Sequence, residues 1–120
     1  MGVEGVGVKS DLEALLLAAQ TGKGAYLIDE ASLYALYNHA ATKNLILDGV
    51  EVFRLADGLE HPHVELTLTP TDTHRIHAGL NWPDRIKAMN TDLDVMIAET
   101  RKIGGEFRFT AWVSNETDWI

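Results

Sequence analysis

The spacing of apolar residues changes from one period to another along this chain, and this change constrains the fold more than any other feature. In residues 11–20 and 30–43 the apolar positions recur every three or four residues, as on the buried face of an α-helix. Residues 45–69 instead contain short apolar runs and alternation, which are typical of β-strands. The helical period returns over residues 83–102, and residues 106–113 alternate again. This order predicts an α+β fold: a small, mainly antiparallel sheet with helices packed on one face.

Two Asp-Gly dipeptides interrupt the strand-like middle of the chain. Asp48-Gly49 is typical of a tight type I′ turn, and it predicts a hairpin between residues 45–47 and 50–55. Asp57-Gly58 predicts a second turn directly after that hairpin. If both dipeptides are turns, their carboxylates lie near the ends of adjacent strands.

The residues that follow are expected to form one further strand and a loop. Residues 64–69 alternate between apolar and polar, which predicts a strand with one buried face that ends at Pro70. Residues 71–81 have no clear period and are expected to be an ordered loop. In the long helix of residues 83–102, the polar stretch 90–92 is a point where the helix could break.

The length of 120 residues predicts a single domain spanning 1–120, with a flexible, glycine-rich entry at residues 1–9 and a short tail at 114–120. The chain contains no cysteine, which excludes disulfides and thiolate chemistry and fits a reducing cytoplasm. No secretory leader and no apolar run long enough to cross a bilayer are visible. We therefore expect a cytoplasmic protein without a membrane partner.

The charge balance indicates the kind of partner. Eighteen acidic residues against ten basic ones give a net charge of −8, which argues against direct nucleic-acid binding and favours a basic protein. Between residues 48 and 65 there are five acids and one base, Arg54. The predicted partner-binding residues are an aromatic anchor and four of these acids: Tyr34, Asp48, Glu51, Asp57 and Glu60. The alternative interpretation is that the acids form a solvated face and that Tyr34 completes the core.

Residues 45–58, LILDGVEVFRLADG, resemble a segment of small immunity-type proteins of bacterial polymorphic toxin systems. That segment consists of an apolar run, a glycine, an aromatic residue and a second Asp-Gly. Here the second Asp-Gly leads into His61-Pro62-His63 rather than a Pro-Asp pair. The resemblance implies a non-enzymatic protein that neutralises a basic toxin or nuclease by covering it, without a cofactor.

Two other functions remain open. The first is a small metal-dependent or acid–base enzyme that uses the clustered histidines His61, His63, His74 and His77. The second is a self-associating protein, in which the strand of residues 106–113 pairs across a two-fold axis in a homodimer. No serine lies in a nucleophile elbow and no phosphate-binding loop is present, so we assign no catalytic residue and no metal ligand.

Overall fold

In residues 2–119, which the computed structural model describes (side chains from residue 11 onward), the chain forms four α-helices and four β-strands. They are, in chain order, α1 (Gly2–Ala19), β1 (Ala25–Ile28), α2 (Glu30–Thr42), β2 (Ile46–Ala56), β3 (Leu59–Pro62), α3 (Pro70–Ile76), α4 (Trp82–Ile103) and β4 (Glu106–Ser114). Short 3-10 helices span Val64–Leu66 and Glu116–Trp119. None of the described helices is both long and apolar enough to cross a membrane.

The four strands form one antiparallel sheet in the order β1-β4-β2-β3. Val50 of β2 lies opposite Ala111 of β4, and Val52 lies opposite Phe109. These four residues are buried in a core that also contains side chains of α1, α2 and α4, including Leu16, Leu33, Leu36, Met89 and Leu93. The helices therefore pack on this inner face of the sheet, and the predicted α+β class is confirmed.

Two predicted helix boundaries differ from the structure. Helix α1 begins at Gly2 rather than at residue 11, and the side chains of the expected flexible entry lie outside the described residues. Helix α4 begins after Asn81, whose side chain accepts a hydrogen bond of 3.0 Å from the backbone N–H of Asp84. It runs without a break through residues 90–92, because Met89 and Leu93 on either side of this stretch are fully buried.

The predicted turn at Asp48-Gly49 is wrong, because β2 continues through both residues. Leu47 pairs with Val113 and Gly49 pairs with Trp112, so Asp48 is an extra residue in a β-bulge. Glycine suits the position after the bulge, since a Cβ there would lie 3.1 Å from the ring of Pro70.

Asp57-Gly58 forms the turn that the other dipeptide does not. Both residues have positive φ angles, 55° for Asp57 and 74° for Gly58, as a type I′ turn requires. The turn joins β2 to β3, and Ala56 pairs with Leu59 directly beside it.

The strand predicted over residues 64–69 is also wrong. Val64–Leu66 is a 3-10 helix, and Leu68 alone reaches the sheet, through an isolated bridge to Val50. The two residues exchange backbone hydrogen bonds of 2.8 and 2.9 Å. A single bridge leaves the rest of this segment free to lie beside the helices.

Residues 70–76 form α3 rather than a loop. Pro70 begins this helix instead of only ending the preceding segment, and the Thr69 hydroxyl accepts a hydrogen bond of 3.2 Å from the backbone N–H of Asp72. A missing N–H costs nothing in the first turn of a helix, so proline is favoured there. This helix places His74 and His77 one turn apart.

The strand predicted to pair with a second copy lies inside the sheet. β4 lies between β1 and β2, and the edges of the sheet are instead β1 and β3. Both edge strands are short, and β3 ends at Pro62, which has no N–H to offer to another strand. β1 therefore occupies the middle of the β4 edge that a second copy would have to pair with, and the homodimer stays a prediction.

Candidate functional site

Two of the predicted partner-binding acids lie on the face of the sheet opposite the core. Glu51, Phe53 and Leu55 alternate along β2 with the buried Val50 and Val52, so they point to the other side. Glu60 of β3 pairs with Leu55 and therefore shares that side. We call Glu51, Phe53, Leu55 and Glu60 the outer sheet face; its two acids are exposed and its two apolar residues are half-buried.

Asp57 extends this acidic surface at the end of the β2–β3 hairpin. It is exposed and lies in the turn itself. Within the described part of the chain, Glu51, Asp57 and Glu60 form no ion pair. Arg108, which pairs with Phe53 across the sheet, is held by Glu106 at 2.7 Å. The negative charges of these three carboxylates are therefore available to a cationic partner.

Tyr34 does not belong to this surface. It lies on α2, packed against the core, and its hydroxyl donates a hydrogen bond of 2.6 Å to the Asp94 carboxylate on α4. Burial, together with the Asp94 carboxylate, raises the pKa of Tyr34 well above its usual value. The prediction that groups Tyr34 with the acids as their anchor is wrong, since Tyr34 joins two helices on the other side of the sheet.

Asp48 is the second correction, because its side chain is fully buried. Its Oδ2 atom lies 2.8 Å from Nε2 of His74, and its Oδ1 atom has no hydrogen-bond partner among the described residues. Burial raises the pKa of Asp48, while the Ser114 hydroxyl and His74 act in the opposite direction. The bulge turns this carboxylate inward, so it cannot contact a partner from a surface turn.

His74 connects the buried carboxylate to a cation and to two indole rings. Arg85 donates from Nη1 to Nδ1 of His74 at 3.2 Å; because a guanidinium only donates, Nε2 carries the ring proton and donates to Asp48. The ring stacks on Trp82 with centroids 5.8 Å apart and on Trp119 with centroids 3.8 Å apart. We call Asp48, His74, Arg85, Trp82 and Trp119 the His74 cluster; its buried members are Asp48, His74 and Trp82, and Trp119 is exposed. His74 thus links a buried carboxylate to the Arg85 guanidinium.

The four clustered histidines do not converge on one site. His61 contacts the carbonyl oxygen of its own hairpin, His63 pairs with Glu65 at 3.0 Å, and His77 pairs with Asp92 at 2.8 Å. Among the side chains of residues 11–119, no three of His, Asp or Glu lie close enough together to hold a metal ion. The enzyme alternative would therefore depend on one His–Asp pair, either that of His74 or that of His77.

Sequence reasoning missed Arg85, Trp82 and Trp119 as neighbours of His74. These residues come from α4 and from the 3-10 helix of residues 116–119, and no local pattern links them to residue 74. One signal was available: a threonine, a proline and an acid at 69, 70 and 72 form a helix start. Reading that signal would have placed His74 on a helix, beside other buried residues.

The chain matches no known protein family, and no curated protein or solved structure matches it. The resemblance of residues 45–58 to immunity-type proteins stays a prediction. The structure shows that this stretch is one long bulged strand with its turn at the second Asp-Gly.

Proposed function

We propose that this protein binds a basic protein and neutralises it by covering it, without catalysing a reaction, as immunity-type proteins do. One observation carries the proposal: Glu51, Glu60 and Asp57 are exposed along the outer sheet face and at its hairpin turn, without partner cations in the described part of the chain. Half-buried Phe53 and Leu55 lie between Glu51 and the turn. Such a surface can attract a cationic protein and then exclude water from the contact. The absence of cysteine fits a meeting of the two proteins in the bacterial cytoplasm.

Charge and apolar contact have different parts in this mechanism. The three carboxylates and the net charge of −8 raise the rate at which a basic partner arrives in the correct orientation. Phe53 and Leu55 supply the apolar contact that slows its departure. Steric cover of the partner's own functional surface then stops its activity.

Replacing Glu51 and Asp57 with lysine is expected to slow association with the basic partner by about tenfold or more at low salt. The salt dependence of the association rate should also weaken, because the charges that steer the encounter have been reversed. The partner is first isolated from the native lysate on immobilised protein, and association rates are then measured by surface plasmon resonance at low and moderate salt.

The matched control carries Asp11→Lys and Glu116→Lys, which change the net charge equally at exposed positions outside the outer sheet face. We expect this control to associate considerably faster than the test variant. Equal slowing in both variants would show that net charge alone matters. Unchanged association in the test variant would overturn the assignment of this surface.

A further inference from the structure

A second exposed surface is a groove between α4 and the segment from residue 65 to residue 76. It has a volume of about 430 Å³. Its floor contains Leu66, Leu68 and Met96, and its walls carry two strongly exposed aliphatic side chains, Ile76 at 66% and Val95 at 59%. Exposed aliphatic residues that face each other across a groove are typical of a binding surface.

The rim of this groove is acidic on both sides. Glu65 and Asp72 lie on one wall, Asp92 and Glu99 lie on α4, and no lysine or arginine lines the groove. Glu65 and Asp92 lie 3.0 and 2.8 Å from ring nitrogens of His63 and His77. Asp72 and Glu99 are in exposed pairs with Arg75 and Lys102, each three residues away in sequence. Exposed pairs of this kind contribute little stability, so an incoming cation can replace them.

The acids of α4 are spaced to match a second helix. Asp92, Val95, Met96 and Glu99 follow the positions i, i+3, i+4 and i+7, so they lie along one side of α4. The two carboxylates are about 10 Å apart along the helix axis, from a rise of 1.5 Å per residue. A partner helix with cations seven residues apart and apolar residues between them would match both the charges and the floor.

We infer that this groove takes an amphipathic, cationic helix of a protein partner. The inference rests on the proposed function, since the helix would belong to the same basic partner that the outer sheet face meets. Two apolar side chains of the helix would cover Ile76 and Val95, and lysine or arginine would lie against Asp92 and Glu99. This is the helix-in-groove mode of recognition, with charge complementarity at the rim.

The probe is a synthetic helical peptide of about fifteen residues, with leucine on one face and two lysines seven residues apart on its border. Titration into ¹⁵N-labelled protein is expected to shift the amide resonances of Leu66, Ile76, Val95 and Met96. A peptide of the same sequence with glutamine in place of both lysines is expected to bind at least tenfold more weakly.

Val95→Lys places a long cation in the groove, and it should weaken binding of the lysine peptide at least tenfold. Lysine is a good helix former, so the exposed position should tolerate it. The control is Leu17→Lys on α1, where the replaced side chain is equally exposed, at 67%, and lies outside the groove. This control should bind as the unaltered protein does.

Three results would overturn the groove. The first is that the peptide shifts only resonances of the outer sheet face, and the second is that it shifts none. The third is that the groove resonances move with protein concentration alone, which would identify a second copy of the chain as the occupant. None of them tests the outer sheet face as a partner surface. The lysine variants of Glu51 and Asp57 decide that proposal separately, so failure of one proposal can be distinguished from failure of the other.

Discussion

Replacing His74 with alanine is expected to lower the free energy of unfolding by about 3–5 kcal/mol at neutral pH. The change removes the hydrogen-bond donor to Oδ2 of Asp48, whose Oδ1 already has no partner among the described residues. It also removes the ring that stacks between Trp82 and Trp119 and the contact to Arg85. Loss of the His74 hydrogen bond from a fully buried carboxylate, which then keeps only the Ser114 hydroxyl, is the largest contribution to this loss.

The loss is expected to depend on pH in a defined direction. Burial raises the pKa of Asp48 in the folded protein above its ordinary value of 3.8. Between the pKa of Asp48 in the unfolded chain and its higher pKa in the folded protein, only the folded protein still binds the proton. The free energy of unfolding therefore falls as pH rises through this interval. Without His74 the folded pKa rises further and the interval widens. The loss in free energy of unfolding caused by His74→Ala should therefore be larger at about pH 7 than at about pH 4.

Urea unfolding at both pH values measures this difference. His61→Ala is the matched control, because His61 is exposed and contacts only a backbone carbonyl; its effect should stay within about 0.5 kcal/mol. Adding Asp48→Asn to His74→Ala should recover part of the loss at neutral pH, since the buried charge is then absent. An equal loss at both pH values, with no recovery, would mean that the lost packing accounts for the whole effect.

Replacing Gly24 with alanine is expected to destabilise the protein by about 2–4 kcal/mol. Gly24 has a φ angle of +73°, which side chains disfavour. An added Cβ would also lie 2.7 Å from the Trp112 ring and 2.9 Å from the carbonyl oxygen of Ala111, which is backbone in the central strand. Neither neighbour can move without disturbing the pairing of β1 with β4.

Thermal and urea unfolding give the size of this effect, and a change in near-ultraviolet circular dichroism, to which Trp112 contributes, reports a displacement of the aromatic side chains. Gly22→Ala is the matched control, because no atom lies within 4 Å of a Cβ added there. We expect that control to change stability by less than about 0.5 kcal/mol. Similar losses in both variants would show that chain flexibility matters here, and that the close approach to Trp112 does not.

The two Asp-Gly dipeptides show how much of the fold the sequence could predict. Both have the same local preference for a tight turn, and Asp57-Gly58 follows it. Asp48-Gly49 does not, because Asp48 finds a distant partner in His74 and β4 continues alongside β2 through the bulge. Local propensity therefore predicts the turn correctly at the solvent-exposed dipeptide. It fails at the buried dipeptide, where a contact with a residue 26 positions away determines the conformation.

The candidate sites divide in the same way. Alternation along β2 placed Glu51 on a strand, and only the register shows that Glu60 shares its face. The buried position of Asp48 and the bond from Tyr34 to Asp94 depend on tertiary packing, which composition does not reveal. The groove could not be predicted because one of its walls is α3. The sequence pattern at Pro70, the first residue of α3, predicts the end of a strand instead of the start of a helix.

The central position of β4 has a consequence for the way the protein is made. β1 and β2 have no common neighbour until β4, residues 106–114, inserts between them. During synthesis the ribosome releases β1 and β2 long before β4, so in the nascent chain β1 has no strand to pair with and β2 can pair only with β3. Such late, non-local pairing slows folding and favours association with other exposed chains. We therefore expect the nascent protein to depend on chaperones until β4 has emerged.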